Sequence, residues 1–453
     1  RLVNGLISPT TTKGTLRESC IWTGESSKEL SLFELSLKVG SVFQNPRSQF
    51  FNVDTTSEIA FGCENHGMPK EKVKERVFQV SSQLKLMDLL GRSIFSLSGG
   101  QKQKIACGSA AAAEPKVFVL DEPSSNLDAC GIEDFRRMLS ILKAQGKTIL
   151  ISEHRLYYLA ELIDRVLYLR DGRIEGDYTA EEFAALPREQ RDSMGLRPLD
   201  LRELQGVYKP GACTAKEQWE LQNFQFAYRR QPTVLNIERA VFGAGKVTAV
   251  IGRNGAGKST LLRCLCGLER RGKGRVKTSL GVWDRKDRLK FCYMVMQDVN
   301  HQLFTESVLD EVLLSMPQED PEQAKEILKQ MDLLQYQDRH PMSLSGGQKQ
   351  RAAVACAVAS KRPLVLFDEP TSGLDLSHMR QAAEVIGRLA ASGRTVLTVT
   401  HDPEFILRCC DDVLHLEKGT VQESYSLEKE EGRKRLLKFF SEDGDAQSQE
   451  ASS

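Results

Sequence analysis

Short apolar runs rich in β-branched residues alternate along this chain with stretches of amphipathic, helical periodicity. In the second half, Lys246-Val247-Thr248-Ala249-Val250-Ile251 is followed by a helical stretch from Lys258, and Val365-Leu366-Phe367 and Val396-Leu397-Thr398-Val399 come later. Runs of that length read as buried strands, and strands separated by helical segments predict an α/β fold with a largely parallel sheet. The longest apolar stretches, residues 117–120 and 364–367, fall far short of the roughly 20 residues a membrane helix needs, so the chain itself is expected to be soluble.

The pattern repeats. Leu97-Ser98-Gly99-Gly100-Gln101-Lys102-Gln103-Lys104 returns 247 residues later as Leu344-Ser345-Gly346-Gly347-Gln348-Lys349-Gln350-Arg351. The same spacing carries Asp121-Glu122-Pro123-Ser124-Ser125 onto Asp368-Glu369-Pro370-Thr371-Ser372, Leu127-Asp128 onto Leu374-Asp375, and His154 onto His401. Upstream, Gln44, Gln49, Phe51 and Glu58 match Gln297, Gln302, Phe304 and Glu311 at a spacing of 253. A self-match held over this distance marks a duplicated domain. The chain of 453 residues suits two domains of roughly 200 to 230 residues each. The boundaries expected are a first domain over 1–185, a Pro- and Gly-broken linker over 186–218, a second domain over 219–437, and a disordered polar tail over 438–453.

Composition narrows the classes. Lys and Arg number 62 against 61 Asp and Glu, so no basic field over the whole molecule would draw it to nucleic acid or anionic lipid. The 11 cysteines are scattered, without a CxxC, and read as buried thiols in a reducing compartment rather than as a metal site or disulfide framework. The opening Arg1-Leu2-Val3-Asn4-Gly5 has no initiator Met and no secretory pattern, and reads as an internal start.

Gly252-Arg253-Asn254-Gly255-Ala256-Gly257-Lys258-Ser259 fits G-x-x-x-x-G-K-[ST] between a predicted strand and a predicted helix, the setting a phosphate-binding loop requires. Its glycines let backbone N–H groups wrap phosphates, Lys258 would meet the outer phosphates, and Ser259, with Thr260 beside it, opens the helix where a hydroxyl can coordinate Mg²⁺. Leu364-Val365-Leu366-Phe367-Asp368-Glu369 places two acids at the tip of a buried strand, where α/β sheets bind ligands. Asp368 is the expected Mg²⁺ ligand, and Glu369 the expected general base for an attacking water. Asp121-Glu122 ends the matching strand of the first copy. Asp121 would hold metal there, and Glu122 would act as base.

With LSGGQ present twice, each time just before the acidic strand, the chain resembles the ATP-binding cassette (ABC) ATPases over nearly its whole length. The resemblance implies two P-loop NTPase domains, each a mostly parallel sheet with helices and a helical signature subdomain, binding ATP and Mg²⁺ and hydrolysing ATP to drive membrane transport. It also implies a head-to-tail pseudo-dimer of the chain's own halves. Ser98, Gly99 and Gly100 would complete the site built on Lys258, and Ser345, Gly346 and Gly347 would face a phosphate loop of the first copy. Tyr228 resembles the adenine-stacking aromatic, and Gln44 and Gln297 the glutamines that touch Mg²⁺ or the water. His154 and His401 resemble the γ-phosphate switch histidines, while Asp128 and Asp375 match the loop that couples the two sites. Arg1-Leu2-Val3-Asn4-Gly5-Leu6 aligns with Arg263-Cys264-Leu265-Cys266-Gly267-Leu268, so a first phosphate loop is expected to end just before Arg1.

Phe43-Gln44-Asn45-Pro46-Arg47-Ser48-Gln49-Phe50-Phe51 and Gln297-Asp298-Val299-Asn300-His301-Gln302-Leu303-Phe304 resemble the FQNP-x-x-QLF pattern of energy-coupling-factor ATPases, importers of vitamins and transition-metal ions. That family implies an integral membrane T-type coupling protein and a small substrate-binding S protein as partners, and a place on the cytoplasmic face of the membrane without nucleic acid. Phe50, Phe51, Leu303 and Phe304 would line grooves for the coupling helices, or else belong to the core. The rival reading is a soluble tandem cassette protein acting on ribosomes or nucleic acid. The balanced charge, and the lack of zinc or iron-sulfur cysteine patterns and of a long charged helical linker, weigh against it.

Overall fold

The computed structural model describes residues 21–22, 25–26, 30–125, 127–207, 218–278 and 281–442. The expected alignment of residues 1–6, Asn126, and the tail beyond 442 lie outside the described residues. The chain divides into two compact units, Arg1–Phe183 and Ala184–Ser453.

In the second unit the strands Cys292–Val295, Leu364–Asp368, Thr395–Val399, Val247–Ile251 and Asp412–Glu417 lie side by side in that order and parallel, and Thr420–Ser426 closes the edge antiparallel. Val247–Ile251, Leu364–Asp368 and Thr395–Val399 are buried at every position. This is why their sequences are mostly apolar on both faces, with Thr248, Thr395, Thr398 and the terminal Asp368 as the polar positions, instead of alternating. A second, antiparallel sheet orders Gly281–Trp283, Lys273–Thr278, Gln218–Ala227 and Thr233–Gly243. Its inward residues, among them Leu221, Phe224, Leu235 and Ile237, share one core with Val250, Leu262 and Leu366 of the parallel sheet. Between Cys292–Val295 and Leu364–Asp368 the chain detours through the helices Val308–Ser315, Pro321–Gln330 and Gly346–Ala359, which pack on one another as a helical subdomain.

The first unit repeats the parallel order with Val39–Val42, Val117–Asp121 and Thr148–Ser152, and the helical detour with Thr55–Asn65, Lys70–Gln83 and Gly99–Ala112. The outer edge of Thr148–Ser152 pairs with no strand among the described residues, and Arg165–Arg170 with Arg173–Thr179 forms a separate hairpin. In the second unit Val247–Ile251 occupies the slot between the corresponding strands. The effect on burial is direct: Leu150 is 42% exposed and its counterpart Leu397 is 0%.

The duplication extends to the backbone. Non-glycine residues with positive φ recur 247 apart at Lys85 and Asp332, Glu114 and Lys361, Glu122 and Glu369, and Asp171 and Lys418. Of the nine described cysteines, eight are buried and none is bonded to another. Burial pushes the Cys107 and Cys356 thiols up to about 12, so these groups stay protonated and unreactive.

Two boundary expectations meet a different structure. The stretch expected as linker carries the helix Arg188–Ser193 and a 3₁₀ turn over Leu201–Gly206, with Arg191, Arg197 and Leu204 buried. Prolines and glycines break its periodicity in sequence, but in its described part, up to Val207, Asp192 and Arg197 pair with Arg380 and Asp402. The tail expected from 438 is helical to Glu442, in the helix Glu430–Glu442, because Leu436, Leu437 and Phe440 are buried.

Candidate functional site

The strand Val247–Ile251 delivers residues 252–257 to the start of the helix Lys258–Leu265. Gly252 has φ +146°, and a Cβ there would sit 1.9 Å from the Leu416 carbonyl oxygen, so only glycine fits. Gly257 caps the helix at φ +99° with no side-chain cap, and Gly255, at φ +87°, faces open space. The first-turn N–H groups therefore have no capping side chain at Gly257, as an anion site requires. Lys258 is buried, its Nζ donating to the carbonyl oxygens of Gly252 at 2.7 Å and Arg253 at 2.9 Å. Gly252→Ala is expected to abolish binding of an ATP analogue or to lower the melting temperature sharply. Parental binding and melting would contradict the crowding at Leu416.

Ser259 Oγ donates to Asp368 Oδ1 at 3.1 Å. Burial pushes the Asp368 carboxyl above its ordinary range, while the Ser259 hydrogen bond and the Lys258 and Arg263 charges pull it back. A hydroxyl and a desolvated carboxylate side by side are hard oxygen donors that fit Mg²⁺ beside a phosphate cradle. Glu369 follows at φ +53°, its N–H donating to the Val399 carbonyl at 2.8 Å. The left-handed backbone turns its side chain away from the path of Asp368 and toward the next strand's end. There Oε2 accepts from the His401 N–H at 3.3 Å, and Oε1 lies 3.6 Å from His401 Nε2. Strained non-glycine backbone of this kind concentrates at functional sites. A buried carboxylate next to an imidazole can take a proton from a water.

Tyr228 is half-buried and reaches the same helix, its hydroxyl 3.2 Å from Thr260 Oγ1, with its ring edge-on to Phe226. Gln297 lies exposed just past Cys292–Val295. The first unit brings the corresponding residues together as well. Gln44 Nε2 donates to Glu122 Oε2 at 2.8 Å, His154 Nε2 lies 3.4 Å from Glu122 Oε1, and Glu122 has φ +41°, with Asp121 exposed beside it.

Ser98 and Ser345 each form a capping box, with Gln101 and Gln348, at the N-termini of Gly99–Ala112 and Gly346–Ala359. Around Gly346 a Cβ would meet nothing within 4 Å, whereas at Gly347 it would press on Leu374 at 3.3 Å and at Gly100 touch Leu127 at 3.6 Å. Asp128 and Asp375 cap Ala129–Ala144 and Leu376–Ala391 through the Gly131 and His378 N–H groups, both at 2.8 Å. Sequence reasoning missed Gln350, whose Nε2 donates to the Glu369 carbonyl at 3.3 Å; its place one turn into the signature helix was the available clue.

Of the four residues expected either at docking grooves or in the core, two belong to the core. Leu303 is 4% exposed and Phe50 packs against the first unit's core, because each faces inward from its loop. Phe51 and Phe304 point outward, 75% and 72% exposed. A buried glutamate sets this orientation in each copy. Glu58 Oε2 accepts from the Phe51 and Asn52 N–H groups at 3.0 and 2.8 Å, and Glu311 Oε2 from those of Phe304 and Thr305, both at 2.9 Å.

In the second unit a phosphate cradle, an acidic strand tip, a histidine beside it and a helix opened by Ser345-Gly346-Gly347 make up a nucleotide-binding cassette; the first unit repeats the strand tip, the histidine and the helix. The family model described as ABC transporter matches residues 1–125 and 239–372, and the chain belongs to that family: it is a tandem ABC ATPase. It is 42% identical to a Treponema denticola protein described as an ABC transporter ATP-binding protein, over 97% of this chain and 91% of the relative. A Methanosarcina acetivorans protein of the same description is 31% identical over 93% and 77%. Among solved structures, the archaeal ribosome recycling factor in complex with a ribosomal stalk protein superposes with a TM-score of 0.60 at 23% identity, covering 88% of this chain and 76% of that one. That likeness is one of fold.

Proposed function

We propose that this protein is the ATP-hydrolysing subunit of an energy-coupling-factor type importer, at the cytoplasmic face of the membrane, driving uptake of a vitamin or metal-ion micronutrient. Its partners are an integral membrane T-type coupling protein and a small substrate-binding S protein. At the second unit's site Lys258 takes the outer phosphates of ATP, Ser259 and Asp368 hold Mg²⁺, Glu369 polarises the attacking water, and His401 attends the γ-phosphate.

The observation that carries the reading is the matched exposure of Phe51 and Phe304, one residue pair of the duplication, each pinned outward beside its glutamine loop by a buried glutamate. Two further positions repeat in kind, Phe61 and Phe95 in the first unit as Leu314 and Met342 in the second, with the half-buried Phe61 ring stacked on Phe51 at 4.9 Å. Large apolar groups held in water at repeated positions fit helices presented by a membrane protein. No helix among the described residues is long and apolar enough to cross a membrane.

The double variant Phe51→Asp/Phe304→Asp is expected to keep parental melting and ATP binding while losing co-purification with membrane proteins from detergent extracts. Retained co-purification would remove the docking surface from this reading. Sedimentation with ribosomes in place of membranes would favour the soluble cassette class.

A further inference from the structure

We propose that Arg197 is a positioning residue for ATP hydrolysis at the second unit's site, holding the loop of His401 and the loop of Asp375 in register from the segment that precedes this domain. The inference rests on reading Glu369 and His401 as hydrolytic residues.

Arg197 is buried, and its guanidinium spans two acceptors that are far apart in sequence. Nη1 donates to Asp402 Oδ2 at 2.5 Å, and Nη2 donates to the Leu374 carbonyl at 3.1 Å. Each acceptor adjoins a site residue. Asp402 follows His401, whose N–H and imidazole meet the Glu369 carboxylate. Leu374 precedes Asp375, which caps Leu376–Ala391. The Asp402 carboxylate is committed on both sides, since Oδ1 also accepts from the Glu404 and Phe405 N–H groups at 3.1 and 3.2 Å to cap Pro403–Cys409. The carboxylate thus links the residue next to His401 to both Arg197 and the helix it caps.

Stability does not account for this pair, because two buried charges can usually be replaced by neutral groups at little cost. A planar fork that sets the spacing of two loops does account for it, and lysine cannot supply that geometry. The segment bearing Arg197 is anchored nearby. Asp192 pairs with Arg380, on Leu376–Ala391, at 2.9 Å, and Arg191 pairs with Glu203 at 2.8 Å. The strap is thus tied to the same helix whose N-terminus Asp375 caps.

The test uses the full chain, with melting temperature, affinity for a slowly hydrolysed ATP analogue, and kcat and KM for ATP. In Arg197→Met/Asp402→Asn both charges go together and Asn keeps the helix cap. This variant is expected to melt with the parent and bind the analogue within about twofold, while kcat falls at least about tenfold and KM changes by less than about threefold. Arg197→Lys keeps a charge opposite Asp402 and loses the second acceptor, so a smaller loss in kcat is expected. Parental kcat in the folded double variant overturns the proposal, because a purely structural ion pair would be relieved by removing both partners. If the double variant does not fold, parental kcat in Arg197→Lys overturns it instead. A Lys258→Ala control distinguishes the failures. If it also hydrolyses ATP at the parental rate, the site assignment itself has fallen. If it is inactive while the Arg197 variants are not, only the positioning role has.

Discussion

Glu369→Gln is expected to bind ATP like the parent and to hydrolyse it about 10²- to 10⁴-fold more slowly, the usual contribution of a positioned general base. The exchange keeps volume, and the amide oxygen can still accept the His401 N–H that now reaches Oε2 at 3.3 Å. What disappears is a group able to take a proton. Since the loss falls on a step after binding, kcat should drop while nucleotide affinity stays, and single-turnover hydrolysis alongside analogue binding measures both. Turnover within about threefold of the parent would remove Glu369 from the chemistry and turn attention to His401.

Lys258→Ala should act earlier. Hydrogen bonds to a charged group contribute about 1.5–3 kcal/mol each, so losing the ammonium should weaken ATP binding by at least about tenfold. Part of the loss has another origin. The ammonium also satisfies the Gly252 and Arg253 carbonyls, and without it the loop loses an internal tie as well as a ligand contact. Titration with a fluorescent ATP analogue, checked against the melting curve, reads the effect. Unchanged affinity would place the phosphates elsewhere.

Much of the parallel sheet was legible because burial on both faces writes itself into sequence as a run dominated by apolar residues. Residues 247–251, 364–368 and 395–399 are such runs and are strands at those places. The phosphate loop was legible for a related reason, since Gly252 and Gly257 occupy backbone that other residues reach only under strain. Less was readable where one long-range partner decides. Nothing local marks Arg197 as buried, because its acceptors lie at 374 and 402. The left-handed turn at Glu122 and Glu369 was hidden too, as glutamate has no preference for it. Leu303 and Phe304 are equally apolar neighbours, and hydrogen bonds, those of Glu311 and of the Gln302 side chain, set which one faces the solvent. The helix Glu430–Glu442 could have been found, because Leu436, Leu437 and Phe440 recur at helical spacing inside a strongly charged stretch.

Glu58 and Glu311 carry a mechanical consequence. Each gathers the backbone of an exposed phenylalanine loop onto one carboxylate oxygen, and the third donor differs between the copies: the Asn52 amide at 3.3 Å in one, the Thr305 hydroxyl at 2.7 Å in the other. Both glutamates belong to helices, Thr55–Asn65 and Val308–Ser315, so the loop is a lever whose fulcrum is the helix itself. Bending the loop at Phe51 or Phe304 would strip a buried carboxylate of its donors, so each exposed ring is tied through its glutamate to the helical subdomain.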